Sequence, residues 1–256
     1  MIQSIDRAIR VLSALQGVRR MSLSELAARL DLAPSTTHGI VRSLVEHGMV
    51  VQERGSNRYQ LGPAVLRLGN VYLDTLELRS KTIPWAEDLA RRTGFAVRTG
   101  VLLVDDVVII HHEPRPDGSR QMPEVGIVIP VHASALGKAL LAFLPEEAER
   151  VLGRAPLRSM TGETLTDPEA LRRQLVEVRA TGAAVEQDEA VLGESSVASP
   201  VFDSWGGGAV GAIGVVIPSG SSFPLAEARD MVRESARALS RELGASTWPP
   251  PPPIQG

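Results

Sequence analysis

Cysteine is absent from all 256 residues. That excludes a disulfide framework and a thiolate metal site, and it fits a cytoplasmic protein. No apolar run approaches the roughly 18–20 residues that a membrane-spanning helix needs, so no membrane partner is expected. The opening residues, Met1 to Arg7, lack the basic segment and apolar stretch of a secretory leader. Catalytic signatures are missing as well. No G-x-S-x-G turn is present to expose a nucleophilic serine. The run from His132 to Ala139 approaches a phosphate-binding loop, but His132 replaces its first glycine and Ala139 its final Ser/Thr. His111 and His112 are neighbours in an extended segment and point to opposite faces, so they do not readily share one ion. Asp188 and Glu189 diverge for the same reason. Neither an enzyme nor a bound cofactor is expected.

What is present is an uneven charge. The formal net charge is −3. Residues 1–62, however, hold eight arginines against five acids, a net of +3, which leaves −6 on the remainder. A basic head on an acidic body suits a small DNA-reading domain with a larger partner that does not touch DNA.

The head reads as three helices and a hairpin. Ile5, Ile9, Leu12 and Leu15 recur at helical spacing, with Gly17 in place to end the helix. Ser22-Leu23-Ser24-Glu25 is a capping box that opens a second helix burying Leu26, Ala27 and Leu30. After the short turn Asp31-Leu32-Ala33, Pro34 opens a third helix. Its spacing places Thr37, Ile40, Val41, Leu44 and Val45 inward and Ser35, Thr36, His38, Gly39 and Arg42 outward. Two helices joined by so short a turn form a helix-turn-helix, whose second helix fits the major groove. Met49–Gln52 and Arg58–Leu61 then make strands around Arg54-Gly55-Ser56-Asn57, a hairpin with a basic tip. Such a wing sets Arg54 and Arg58 against phosphates. His38 is either a base-reading residue or a solvated helix position.

Residues 63–78 form an amphipathic helix with more apolar surface (Leu66, Val71, Leu73, Leu76) than a free linker carries. Beyond it the pattern is mixed. A helix over about 81–93 leads to strands at 95–104, 107–112 and 126–131, then helices near 134–143, 145–152 and 167–181. Strands near 183–187, 196–202 and 209–217 precede a last helix at about 225–243. Strands clustered in hairpins predict an antiparallel sheet flanked by helices, an α/β (α+β) domain. Residues 247–256, with five consecutive prolines, read as a disordered tail. The resulting division is 1–62, 63–78, 79–246 and 247–256.

The stretches Ser24–Ala27, Ser35–His38, Leu44–Gly48 and Arg58–Gly62 together resemble the DNA-binding domain of the IclR family. The similarity continues through Val131–Ala142, Asp188-Glu189, Gly193 and Ala198–Asp203, in the expected order and over nearly the whole chain. The resemblance implies a winged helix-turn-helix, a linker helix that packs in a dimer, and a GAF-like effector-binding domain. It implies a transcription regulator, most often a repressor, that binds a double-stranded DNA operator as a homodimer or tetramer. Ser35, Thr36, Thr37, His38, Arg42, Arg54 and Arg58 would face DNA. The family's effector pocket maps onto Ala135, Leu136, Glu186, Glu194, Ser196, Gly214 and Val216.

Two departures matter. Many members carry an arginine where this chain has Gly39, so base reading would lean on Ser35, Thr36, His38 and Arg42. Members that bind small oxo-acids tend to have serines at 214 and 216, and Glu186 would repel a carboxylate, so a glyoxylate-like effector is disfavoured. Within the family, the run from Ile110 to Gln121 most resembles members that govern glycerol catabolism, which implies an effector such as glycerol 3-phosphate. A phosphorylated effector requires a cation; Arg98, Arg120 and His132 are the candidates. A stand-alone metabolite-binding module and a small-polyol enzyme are the rival readings.

Overall fold

The computed structural model describes residues 2–206 and 208–249. The chain divides into two compact units, Met1–Thr75 and Leu76–Gly256.

In the first unit, α1 (Gln3–Gly17), α2 (Leu23–Leu30) and α3 (Pro34–Glu46) surround a small core of Val11, Leu15, Leu26, Leu30 and Val41. A three-stranded antiparallel sheet, ordered β1-β3-β2, joins β1 (Met21–Ser22), β2 (Val50–Gln52) and β3 (Arg58–Leu61). The two-residue β1 has too little length to carry an alternation signal, and the sequence pattern misses it. One inward assignment fails: Val45 of α3 is 38% exposed. Ile5 and Ile9, which share the helical spacing of α1 with the buried Leu15, are 55% and 57% exposed. Helical spacing identifies an apolar face without identifying what covers it. The expected linker is α4 (Pro63–Thr75), which buries no residue within the chain. Helical geometry breaks at Leu76, which caps α5 (Glu77–Thr93) with extended backbone, so α4 ends three residues before the expected 78.

The second unit is a six-stranded antiparallel sheet, ordered β6-β5-β4-β9-β8-β7. Its strands are β4 (Ala96–Leu103), β5 (Asp106–Glu113), β6 (Val128–Pro130), β7 (Ala184–Gln187), β8 (Glu194–Val201) and β9 (Gly211–Pro218). On one face pack α5 and α9 (Leu225–Glu242), and on the other α6 (Ala135–Leu141), with α7 (Pro145–Leu152) and α8 (Pro168–Thr181) behind it. Covering both faces explains why the central strands are apolar at successive positions rather than alternating. Asp167 caps α8 as expected, accepting from the amides of Glu169 and Ala170 at 3.1 and 3.2 Å.

The start of the expected tail is ordered. Trp248 packs against the core on the α6 face and donates its indole N–H to the Pro200 carbonyl at 2.9 Å. An indole buries more apolar area than most side chains, and its N–H has a partner here, so the segment 247–249 docks despite its proline-rich surroundings. Residues 250–256 lie outside the described residues.

Candidate functional sites: a nucleic-acid interface and an enclosed cavity

The first site is built on α3. Ser22 and Glu25 form the expected capping box: the Ser22 hydroxyl accepts from the Glu25 amide at 3.2 Å, and the Glu25 carboxylate accepts from the Ser22 amide at 2.7 Å. This fixes the start of α2. Asp31, in left-handed backbone at φ 52°, closes it, and Pro34 opens α3. Ser35, His38, Gly39 and Arg42 then fall at i, i+3, i+4 and i+7 and form one exposed stripe. Thr36 is half-buried beside it.

Thr37 does not belong to that surface. It is fully buried, and its hydroxyl donates to the Ala33 carbonyl at 3.2 Å, so it has no donor left to offer DNA. Arg42 is exposed and donates to Glu46 at 3.1 Å, a contact one helical turn away that solvent screening keeps weak. At the wing tip, Arg54 is exposed and has no hydrogen bond or ion pair among the described residues.

Arg58 differs. Its guanidinium donates to both Glu25 carboxylate oxygens, at 3.2 and 3.1 Å, and to the Arg20 carbonyl at 3.3 Å. The Ser22 amide, the Ser22 hydroxyl and Arg58 together hold the Glu25 carboxyl below its ordinary value. Arg58 therefore braces the root of the wing against the capping box instead of presenting a free cation. Arg20 makes a second brace, to Glu53.

The second site is a partly open cavity of about 200 Å³ beneath α6. Register places its floor. Arg98 on β4 lies opposite Gly214 on β9, which lies opposite Ala198, and Ser196 lies between Glu186 on β7 and Val216 on β9. Residues two apart share a face, so these side chains all point toward α6. Gly214 has a steric reason: a Cβ there would sit 2.5 Å from the Val197 carbonyl.

Leu136, Glu186, Glu194, Ser196, Gly214 and Val216 all line this cavity; Ala135, fully buried, does not. Of the three candidate cations only Arg98 lines it. Arg120 lies in an adjoining cavity, and His132 bonds to the Arg158 carbonyl at 2.8 Å away from both. Ser134 caps α6, its hydroxyl accepting from the Gly137 amide at 3.2 Å. Sequence reasoning missed Glu124, Ile127 and Val191. Glu124 and Val191 sit on irregular loops with no periodic signal, and Ile127 directly precedes β6 within the expected 126–131 strand; only tertiary folding brings the three over the floor.

The polar groups form two clusters. Arg98 holds Glu124 in a two-point contact, its second bond 3.0 Å long, and reaches Glu194 at 3.3 Å. Burial works against the Arg98 charge, but these carboxylates outweigh it and hold its pKa above the ordinary guanidinium value. Glu186 accepts from the Ser196 hydroxyl at 2.7 Å and from the Glu189 amide at 3.1 Å. Burial pushes the Glu186 carboxyl up, partly opposed by those two bonds. Glu189 is ion-paired with the fully buried Lys138 on α6. Walls of Ile109, Ile127, Ile129 and Leu136 complete an apolar chamber with a few convergent polar groups, the usual form of a small-molecule site. His111 and His112 face opposite sides of the sheet, and no cluster of metal-ligating side chains occurs among the described residues.

A winged helix-turn-helix unit followed by a sheet domain enclosing such a chamber defines the class of DNA-binding transcription regulators with a ligand-sensing domain. The sequence matches the bacterial transcriptional regulator IclR C-terminal family over residues 70–241 and the IclR helix-turn-helix domain over residues 4–54. The chain belongs to the IclR family of bacterial transcriptional regulators, whose members bind DNA operators and small-molecule effectors.

It is 45% identical over 253 residues to the glycerol operon regulatory protein of Streptomyces griseus, covering 96% of this chain and 98% of that one. Its fold is similar to the IclR transcriptional regulator of Alicyclobacillus acidocaldarius, with a TM-score of 0.81 at 29% identity, covering 95% of this chain and 100% of that one. It is also similar to an IclR homologue from Microbacterium hydrocarbonoxydans solved with 4-hydroxybenzoate, with a TM-score of 0.77 at 27% identity, covering 95% and 100%. These relatives are regulators, not enzymes.

Proposed function

We propose that this chain represses a glycerol-type catabolic operon in the cytoplasm and that a small hydroxylated molecule in the α6 cavity controls its grip on the operator. Ser35, Thr36 and His38 read base edges, while Arg42 and Arg54 contact phosphates. The observation that carries the ligand half is the convergence of six widely separated residues, from Leu136 to Val216, on one chamber. The pathway rests on similarity to a Streptomyces glycerol operon regulatory protein along nearly the full length of both chains.

The working form is a homodimer or a dimer of dimers. Ile5 and Ile9 on α1, with Ile2 just before it, and Leu66, Val71 and Tyr72 on α4 expose apolar surface that a second copy would cover. A two-fold protein demands a two-fold operator. The effector acts by its preference between two arrangements of the DNA-binding units, which sets the largest change in affinity it produces.

The test is a gel shift on DNA upstream of the gene, with glycerol-type ligands added to the wild type and to Glu186→Gln. The expected result is operator binding by both and a ligand response in the wild type that the variant loses. A ligand response untouched by Glu186→Gln and by Ser196→Ala contradicts the assignment of the chamber.

A further inference from the structure

The chamber does not end at Arg98. A second, more open cavity of about 410 Å³ adjoins it and shares Arg98, Glu124, Glu194 and Val216. The sign of charge changes between the two. The inner chamber has one cation, Arg98, against Glu124, Glu186 and Glu194. The outer cavity has Arg98, Arg115 and Arg120 against Glu124 and Glu194.

The two added arginines stand at the ends of a closed turn. Gln121 accepts from the Arg115 amide at 2.9 Å and donates to the Arg115 carbonyl at 3.1 Å. Arg120 makes no hydrogen bond or ion pair among the described residues. The Arg115 Nε is shielded from solvent with no hydrogen-bond partner, its nearest carboxylate, that of Asp117, lying 3.6 Å away.

We propose that the outer cavity is an anion subsite and that the effector is a small polyol monophosphate spanning both compartments, an inference that rests on the inner chamber being the effector site. Its hydroxylated body lies inward against Glu186 and Ser196. Its phosphate lies outward between Arg115 and Arg120, with Arg98 at the border. A carboxylate or phosphate placed inward would face three glutamates with one guanidinium already held by two of them, which is repulsive. Placed outward, the same group meets planar N–H forks that match phosphate oxygens. An unphosphorylated polyol fills the inner chamber and reaches neither Arg120 nor Arg115, whose own contacts are the Ser119 hydroxyl at 3.4 Å and the Asp117 carboxylate at 3.6 Å.

The test is calorimetry on the full-length protein with glycerol 3-phosphate, glycerol, glycerate and inorganic phosphate as probes. It uses the wild type, an Arg115→Ala/Arg120→Ala double variant and Glu186→Gln. The expected result is that glycerol 3-phosphate binds the wild type at least about tenfold more tightly than glycerol, with the double variant removing that advantage and leaving glycerol unchanged, as loss of charge-assisted bonds to one group dictates. Glycerol 3-phosphate binding that the double variant leaves intact overturns the anion subsite, and so does glycerol or glycerate binding as tightly as the phosphate ester, or no binding of the ester at all. Binding that depends on the two arginines but is unmoved by Glu186→Gln overturns the spanning pose through its inner half, which separates failure of the effector-site reading from failure of the subsite.

Discussion

Arg58 at the root of the wing grips Glu25 at the start of α2 through two hydrogen bonds, of 3.2 and 3.1 Å. The same glutamate closes the capping box with Ser22. One carboxylate thus ties the hairpin to the helix-turn-helix, and the two arginines of the wing have different work.

That difference is measurable. A cation that neutralises one phosphate adds about 0.9 to the steepness of log K against log salt. Arg54→Ala takes away a free cation at the wing tip and is expected to flatten the slope by about that amount. Arg58→Ala is expected to weaken operator binding while leaving the slope nearly unchanged, because its charge is already neutralised by Glu25. Anisotropy titrations at four or five salt concentrations check both, and equal slope changes would place Arg58 on a phosphate.

Gly39 lies in the exposed stripe of α3, and a Cβ added there meets nothing within 4 Å. Gly39→Ala is therefore expected to stabilise the protein by roughly 0.5–1 kcal/mol, the difference in helix propensity. Urea denaturation measures it, and a loss of stability would mean that α3 needs glycine for a contact outside the monomer.

Lys138 is 1% exposed and paired with Glu189. Burial pulls its pKa down, and Glu189 only partly restores it. Lys138→Met leaves a buried carboxylate without its cation, which costs about 3–5 kcal/mol. Replacing both partners, Lys138→Met with Glu189→Leu, is expected to recover most of that loss, since a buried ion pair contributes little beyond an apolar pair of similar volume. Chemical denaturation of both variants checks this.

His111 is half-buried on the α5 face, where desolvation first, and then Arg79 and His112, lower its pKa from 6.5 to about 4. Its Nε2 has no hydrogen-bond partner, the Glu113 carboxylate being 3.8 Å away. The unfolded chain therefore binds a proton at this residue before the folded one does. The stabilisation is complete above about pH 6.5 and is lost as pH falls toward 4, a change on the order of 2 kcal/mol. His111→Leu is expected to flatten the pH dependence of stability in that window, as followed by thermal melts from pH 7 to 4.5. An unchanged profile would move the titration to another group.

Much of this was legible in the sequence because it is local. The capping box, the Pro34 start of α3, the wing hairpin and the Asp167 cap each depend on residues within a few positions of one another. What was not legible depends on distance in the chain. Thr37 reads as a polar residue on a reading helix, and only packing shows its hydroxyl turned back to Ala33. Arg58 reads as a basic wing residue, and only folding brings it to Glu25, 33 positions away. Ile5 and Ile9 form an apolar face that spacing identifies and the monomer leaves open. The floor of the chamber was reached only through the family resemblance, which maps Glu186, Glu194, Ser196, Gly214 and Val216 onto it. The roof includes Glu124 and Val191, which come from loops with no pattern.

The measurement that bears most directly on the central claim is a competition titration of the full-length protein on its own upstream duplex against a scrambled duplex of equal length, at physiological salt. The account predicts a specific complex tighter than the scrambled one by at least about 10³-fold, the low end for sequence-reading proteins. It also predicts that joint Ser35→Ala and His38→Ala substitution erases that ratio. Equal affinity for both duplexes would contradict it, because α3 would then be holding phosphates without reading bases.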